Sequence, residues 1–376
     1  MGNINFYTHA RVLSRVSEDT KVGASNTLSN AVAQLRERGV ARSDSVITLA
    51  TPRLGVAANP SAGLAKTLGK TKAKANAIAA NFSNPAVKTK FANRLADNPA
   101  GAKDLKKLLH YKGRQSAASA GARLQTRAAL SLAFAHGASS AELSNLRQFL
   151  DGCGDDVRSN VLTELNSTHR NAGAFIESLL DPDAFNPAKD LNSNAINGMY
   201  GVFEPAAQLY INDLLVGQNV DLDSTAGMRN AAILGSISCY CENGYGWMND
   251  ALRSGKELPD EEKNIIKTAA FVLGQLPDWQ GLTMRGADLP PDVVDRYQPG
   301  ATVTEKAFTS ASADAGYKRN VQFIIESKHG KDVSHLSGKK GDTDGIEIMY
   351  RPNTQFDVLH KEKIGEITYI VMREAD

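Results

Sequence analysis

Apolar and polar positions follow two different rhythms along this chain. Up to about residue 65 neither rhythm is sustained, and Ser, Thr, Ala and Gly dominate. That composition predicts a leader with little structure of its own. From about Thr71 to Leu180 the apolar residues recur at helical spacing. "SSAELSNLRQFLDGC" offers Ser139 as an N-cap, with Glu142 three residues on to complete a capping box and Gly152 as a stop. "DVRSNVLTELNSTHR" and "NAGAFIESLL" predict two further amphipathic helices. "LDPDAFNPAKDLNSN", residues 180–194, carries prolines with many Asp and Asn and is expected to link two domains.

Beyond residue 195 the rhythm changes. "PAAQLYINDLL", "MRNAAILGSISCYC" and "DEEKNIIKTAAFVLGQL" still read as helices, the last with Ile265, Ile266, Ala269, Val272, Leu273 and Leu276 on one face. Short alternating runs then follow: "GLTMR", "ATVTEKAFTS", "VQFII", "IEIMY", "QFDVL" and "ITYIVM". Helices followed by several short strands predict an α+β domain built on antiparallel sheets. In "DGIEIMYRPNTQFDV" the alternation breaks at Arg351-Pro352-Asn353, which predicts strand, turn, strand. The division expected is thus a leader over 1–65, a basic helical domain over 66–190 and an α+β domain over 195–376.

Charge sharpens the middle part. Net charge is only +2, yet between Lys66 and Arg127 fourteen Lys and Arg stand against two acids, Asp97 and Asp104, so the remainder is net acidic. Such a stretch suits nucleic acid, anionic lipid or an acidic protein, or is a solvated helical face. Its few aromatics argue against single-strand nucleic-acid binding, and no nucleic-acid or membrane partner is assigned. Three cysteines, Cys153, Cys239 and Cys241, fit a reducing compartment without a disulfide framework. Cys239-Tyr240-Cys241 lacks metal-ligand spacing, and His329, His335 and His360 are scattered, so no metal is expected. No secretory signal opens the sequence, and Met1-Gly2-Asn3 lacks the Ser or Thr an acylation site wants, having Phe6 there. Neither a GxGxxG turn nor a P-loop is present.

Three polar groups remain to be placed: Arg285 and Gly286 closing "LTMRG", Ser310 and Ser312 in "FTSAS", and Glu347 in "IEIMY". Taken with "ISCYCENGYGWMNDALRSG" before them, and with 25 residues from Arg285 to Ser310 and 37 from Ser310 to Glu347, this order resembles the mono-ADP-ribosyltransferases of the Arg–Ser–Glu class. That group holds bacterial type III effectors, actin-modifying toxins and vertebrate ecto-enzymes. The resemblance spans roughly residues 195–376. It implies cleavage of NAD+ at the nicotinamide–ribose bond and transfer of ADP-ribose to a protein side chain. Glu347 would hold the ribose 2′-hydroxyl and Arg285 an NAD+ phosphate. The Gly286 backbone would meet the nicotinamide amide. Ser310 would hydrogen-bond Glu347, and Ser312 would wall the site beside Ala311, where the family often has Thr. Lys318 and Arg319 would meet phosphates, or lie in a solvated turn. Without the resemblance, Glu347 reads as a charged guard on an edge strand.

The resemblance also exposes a departure. The family carries Glu or Gln two residues before its catalytic Glu to orient the acceptor, and here that residue is Gly345. Asp342 or Asp344 takes over that role, or the acceptor is not arginine, or transfer is lost and an NAD+ hydrolase or a binding scaffold remains. The resemblance further implies a bacterial effector secreted into a host-cell cytoplasm, with a host target protein and a secretion chaperone on the N-terminal region.

Overall fold

The computed structural model describes residues 78, 80–82, 85–110, 119–166, 171–203, 205, 208–209, 211–212, 224–313, 318–337 and 346–375. The proposed leader lies outside them. Contacts divide the described residues into two compact units, one of helices and one built on a sheet.

The helical unit contains α1 (Pro85–Asp97), α2 (Pro99–Leu108), α3 (Ala120–Ala135), α4 (Ser140–Gly152), α5 (Asp155–Leu165), α6 (Ala172–Leu180), α7 (Pro187–Asp190) and α8 (Ser193–Val202). At its centre is α3, every residue of which from Ala128 to Ala135 is buried. Small alanines let α1, α4 and α5 approach it closely. The Ser139–Glu142 capping box forms as the spacing predicts: the Glu142 amide donates to Ser139 Oγ at 3.3 Å, and the Ser139 amide to Glu142 Oε2 at 2.6 Å. The prolines of 180–194 do not mark a linker. Asn186 is fully buried and donates to the Phe175 carbonyl at 3.2 Å and to Ser178 Oγ at 2.9 Å. The carbonyls of Pro187 and Leu191 accept from Arg229, whose guanidinium also pairs with buried Glu164 at 2.8 Å. Polar residues here satisfy a buried turn, which composition alone reads as solvent-facing chain.

Three further helices follow: α9 (Thr225–Cys239), α10 (Tyr245–Ser254) and α11 (Asp260–Gln275). The compact units do not follow the linear division at residues 190–195. The helical unit runs through Ser236 and takes back Asp260–Leu276. The apolar face of α11 lies against α8, and Phe271 meets Phe175 edge-on at 6.3 Å. Between α9 and α10 the helix widens into a π-turn over Tyr240–Gly244. Gly244 permits it, since a Cβ there would sit 2.7 Å from the Cys239 carbonyl oxygen.

The second unit holds Ile237–Pro259 and Pro277–Asp376. Its strands are β1 (Asp278–Ala287), β2 (Thr302–Glu305), β3 (Thr309–Ser312), β4 (Val321–Asp332), β5 (Glu347–Tyr350), β6 (Thr354–Ile364) and β7 (Ile367–Glu374), with the short helix α12 (Pro291–Val294) after β1. They form one sheet in the order β1-β3-β5-β4-β7-β6-β2, and β1 also pairs with β4. All pairings are antiparallel except β4 with β7, so the sheet is mixed where an antiparallel one was expected. The reason is connectivity: β5 and β6 intervene between β4 and β7, and β6 and β7 form a hairpin that brings β7 back alongside β4. Alternation along the strands feeds two cores, Phe323, Ile325, Ile348, Phe356 and Ile370 on one face, Leu282, Met284, Ile324 and Val371 on the other.

The turn at Arg351-Pro352-Asn353 is present. Asn353 takes a left-handed φ of 65°, a conformation Asn tolerates, and its amide donates to the Glu305 carbonyl at 2.7 Å. The strands it joins do not pair with each other; β5 lies between β3 and β4, and β6 between β7 and β2. Glu347 therefore opens an interior strand, which removes the reading of it as an edge guard. Among the described residues no helix is long and apolar enough to cross a membrane.

Two predictions test this architecture. Gly244→Ala forces a Cβ into a backbone carbonyl and is expected to lower stability by about 1–3 kcal/mol, read as a lower urea midpoint at unchanged slope. Burial raises the Asp278 carboxyl, but Lys331 and His329 beside it outweigh burial and hold it below its ordinary value. A depressed folded-state pKa gives stability that is present above the unfolded value and fades as pH falls through the folded one. Asp278→Asn is accordingly expected to flatten the acid limb of the stability profile and leave its alkaline limb in place, measured as denaturation midpoints against pH.

Candidate active site

Strand register brings the three marked side chains together. Ser312 on β3 stands opposite Glu347 on β5, and Ser310 opposite Met349. With a side-chain period of two, Ser310, Ser312 and Glu347 share one face, and Ser310 is the diagonal neighbour of Glu347. A long side chain spans that diagonal, and Ser310 Oγ donates to Glu347 Oε1 at 2.8 Å. From β1, Arg285 Nη1 donates to the carbonyl of the same Ser310 at 2.7 Å. One serine thus ties the acid to the guanidinium, through its hydroxyl on one side and its backbone on the other. Glu347 is only 9% exposed, so its carboxylate depends on such partners.

The backbone of Glu347 is also held. Its amide donates to Ser334 Oγ at 2.9 Å, and its carbonyl accepts from the Val333 amide at 3.0 Å. Ala311 between the two serines is buried in the sheet core.

Arg285 also lines a cavity of 560 Å³. One wall is the face of α10 that presents Tyr245, Asn249 and Arg253, four residues apart, and the other carries Arg296, Glu305 and Lys306. Four cations and the acids Asp288 and Glu305 make this a place for an anionic, polar ligand with an apolar floor at Phe323 and Met372. Asn249 is buried; its Nδ2 donates to the Tyr240 hydroxyl at 3.1 Å, while its Oδ1 has no hydrogen-bond partner among the described residues. Burial pushes the Tyr240 phenol up to about 12, so it stays protonated at physiological pH. Burial and then the Glu305 carboxylate likewise raise Tyr297, which donates to Glu305.

The other expected site residues fall at the margins. Gly286 follows Arg285 on β1 opposite Gln322, and Ser312 is half-buried beside Glu347. Lys318 and Arg319 lie exposed just before β4, where Arg319 pairs with Asp288 at 3.4 Å. Asp342, Asp344 and Gly345 lie outside the described residues. Sequence reasoning missed Tyr245, Asn249 and Arg253, although their spacing of four places them on one helical face, and it missed Ser334, whose partner lies 13 residues away. Among the described residues no group of His, Cys, Asp and Glu could hold a metal ion.

No family model matches the chain. An NAD(+)–protein-arginine ADP-ribosyltransferase, Tre1 of Pseudomonas putida (strain GB-1), is 34% identical over 160 residues, covering 40% of this chain and 32% of that protein. A putative NAD(+)–arginine ADP-ribosyltransferase, Mav of Mycobacterium avium (strain 104), is 34% identical over 134 residues, covering 34% of this chain and 16% of its own length. Among solved structures, the type III effector XopAI from Xanthomonas axonopodis pv. citri superposes with a TM-score of 0.40 at 18% identity, over 50% of this chain and 89% of that one. The chain spans about a third or less of the length of the first two of these relatives. Over the stretch they share, it is similar to the NAD(+)–arginine ADP-ribosyltransferases, a mono-ADP-ribosyltransferase likeness in keeping with the order Arg285, Ser310, Glu347.

Proposed function

We propose that this chain transfers ADP-ribose from NAD+ to arginine on a protein, with Glu347, Arg285 and Ser310 as its catalytic residues. The observation that carries the reading is the double use of Ser310, whose hydroxyl fixes Glu347 and whose carbonyl fixes Arg285. Breaking the nicotinamide–ribose bond sends the bonding pair out with nicotinamide and leaves a cationic, oxocarbenium-like ribose. A carboxylate already oriented beside that sugar stabilises the developing charge without having to reorganise. Glu347 has that preparation, and its carboxylate suits the ribose 2′-hydroxyl. A guanidine nitrogen of the acceptor then bonds to the anomeric carbon and loses a proton.

Arg285 supplies a planar, permanently charged donor for the pyrophosphate, and the cavity that begins at Arg285 has the volume and cationic lining for the remaining nucleotide. The Gly286 backbone lies next to it for the nicotinamide amide, and Ser312 closes the wall beside Glu347. Lys318 and Arg319 serve as outer phosphate contacts. Arginine as acceptor is supported by the names of the relatives, and Asp342 or Asp344 is the side chain proposed to orient it in place of Gly345. The missing side chain at Gly345 also supports a second reading, an NAD+ hydrolase that passes ADP-ribose to water. The Ser-, Thr- and Ala-rich residues 1–65 support delivery as a secreted effector, with a chaperone on that segment and the target in a host cell.

Incubation with labelled NAD+ and a protein lysate, with free nicotinamide measured in parallel, tests the assignment. Glu347→Ala is expected to lower nicotinamide release by about 10²–10³-fold at an unchanged melting temperature. Full turnover in that variant would refute the site. Arg285→Ala is expected to raise KM for NAD+ roughly tenfold, the scale of one charged hydrogen bond. A change confined to kcat would remove Arg285 from nucleotide binding. A labelled protein band marks a transferase, and nicotinamide without a band marks the hydrolase.

A further inference from the structure

Glu347 is the first residue of β5, at the point where β4 has just ended at Asp332. The Ile346 carbonyl accepts from the Ala313 amide beyond the end of β3, so the next residue's own backbone groups point the other way, toward β4. There the Val333 amide donates to the Glu347 carbonyl, but no strand carbonyl remains to take the Glu347 amide. Ser334 Oγ takes it instead, at 2.9 Å. The hydroxyl has one proton, and that proton is committed: Ser334 Oγ donates to Asp332 Oδ1 at 2.7 Å, while the Ser334 amide donates to the same oxygen at 3.0 Å. The lone pairs of Ser334 are thereby left facing the Glu347 amide.

The seat itself is anchored. Residues Ser334–Leu336 form a 3-10 turn, Val333 and Leu336 are buried, and the Leu336 carbonyl accepts from Ser238 Oγ at 2.6 Å. Asp332 is exposed and accepts from the turn, so it orients a hydroxyl rather than filling a core.

We infer that Asp332 and Ser334 are positioning residues for Glu347, a side-chain extension of β4 that fixes the backbone of the acid while Ser310 fixes its carboxylate. This rests on the proposed NAD+ chemistry and deepens it. Ser310 alone fixes the far end of a side chain with three rotatable bonds. With the amide also fixed, both ends of that side chain are defined, which is what a charge-stabilising carboxylate needs. Ser334 and Asp332 touch neither NAD+ nor acceptor in this account, so their loss should appear in kcat rather than in KM.

Steady-state nicotinamide release by the full chain tests this. Ser334→Ala is expected to lower kcat about tenfold, the scale on which small displacements of a reacting group act, with KM for NAD+ within about twofold of wild type. Ser334→Thr, which keeps the hydroxyl, is expected to recover kcat to within about threefold, a rescue that a purely structural role would not give. Asp332→Ala, at an exposed position, is expected to reproduce part of the kcat loss. Amide hydrogen exchange reads the bond itself, with protection at Glu347 in wild type and faster exchange in Ser334→Ala. Unchanged kcat in Ser334→Ala, a loss in KM alone, failure of the Thr variant to recover, or unaltered exchange at Glu347 would each overturn the inference. Absence of nicotinamide release from wild type would instead overturn the enzymatic reading and the positioning role with it, while exchange at Glu347 would still show whether the hydrogen bond exists.

Discussion

The hydrogen bond from Ser310 to Glu347 is the contact on which the rest of the site depends. A carboxylate placed on an interior strand has lost most of its water, and it stays in place only if the neighbouring strands return what was lost. The diagonal geometry of an antiparallel pair provides this: β3 and β5 are in register so that a serine two positions from the direct partner meets the acid. Shifting β3 by one residue would turn Ser310 and Ser312 away from Glu347 and put Thr309 and Ala311 on the face that it shares. The buried apolar residues that alternate with them, Ala311 opposite Ile348, prevent that slip. Packing of the sheet and chemistry of the cleft are in this sense one specification, written on alternate residues of the same four-residue strand.

Much of this was legible in the chain. The capping box at Ser139, the apolar face of α11 and the turn at Arg351-Pro352-Asn353 are local rules, and local rules can be read from a line of text. The order Arg285, Ser310, Glu347 was legible because of resemblance, not because any of the three residues is informative alone. What could not be read was decided at long range. The buried turn at Asn186 looked like a linker because Pro, Asp and Asn mark exposed chain on average, and only Arg229, 42 residues from Pro187, reveals that these carbonyls are consumed inside. The parallel pairing of β4 with β7 is a property of connection, invisible in either strand. Ser334 was missed because a serine just after a strand is unremarkable until the amide it serves is located.

The helix that crosses from Cys239 through the π-turn to Tyr245 shows how a local irregularity shapes the site. A regular helix would present a different set of residues along the wall of the cavity. One extra residue in the turn rotates those that follow, so that Tyr245, Asn249 and Arg253 line the cavity together. Gly244 accepts the close carbonyl that this requires. The sequence signal for that wall was present as a spacing of four, but spacing says only that residues share a face, not which way the face is turned.

The placement of β7 has a consequence for how the chain is made. This strand, complete only at Glu374, sits in the interior of the sheet between β4 and β6. During vectorial synthesis β4 emerges well before its parallel partner, and at about 5–20 residues per second it waits some seconds with an open flank. Parallel pairings between distant segments also form slowly. Until β7 arrives the apolar residues Phe323 and Ile325 have no neighbour on that side, and the cleft beside β4 lacks its backing. The protein thus emerges from the ribosome as an unfinished sheet, completed only when the 27 residues that follow Glu347 up to Glu374 have been added.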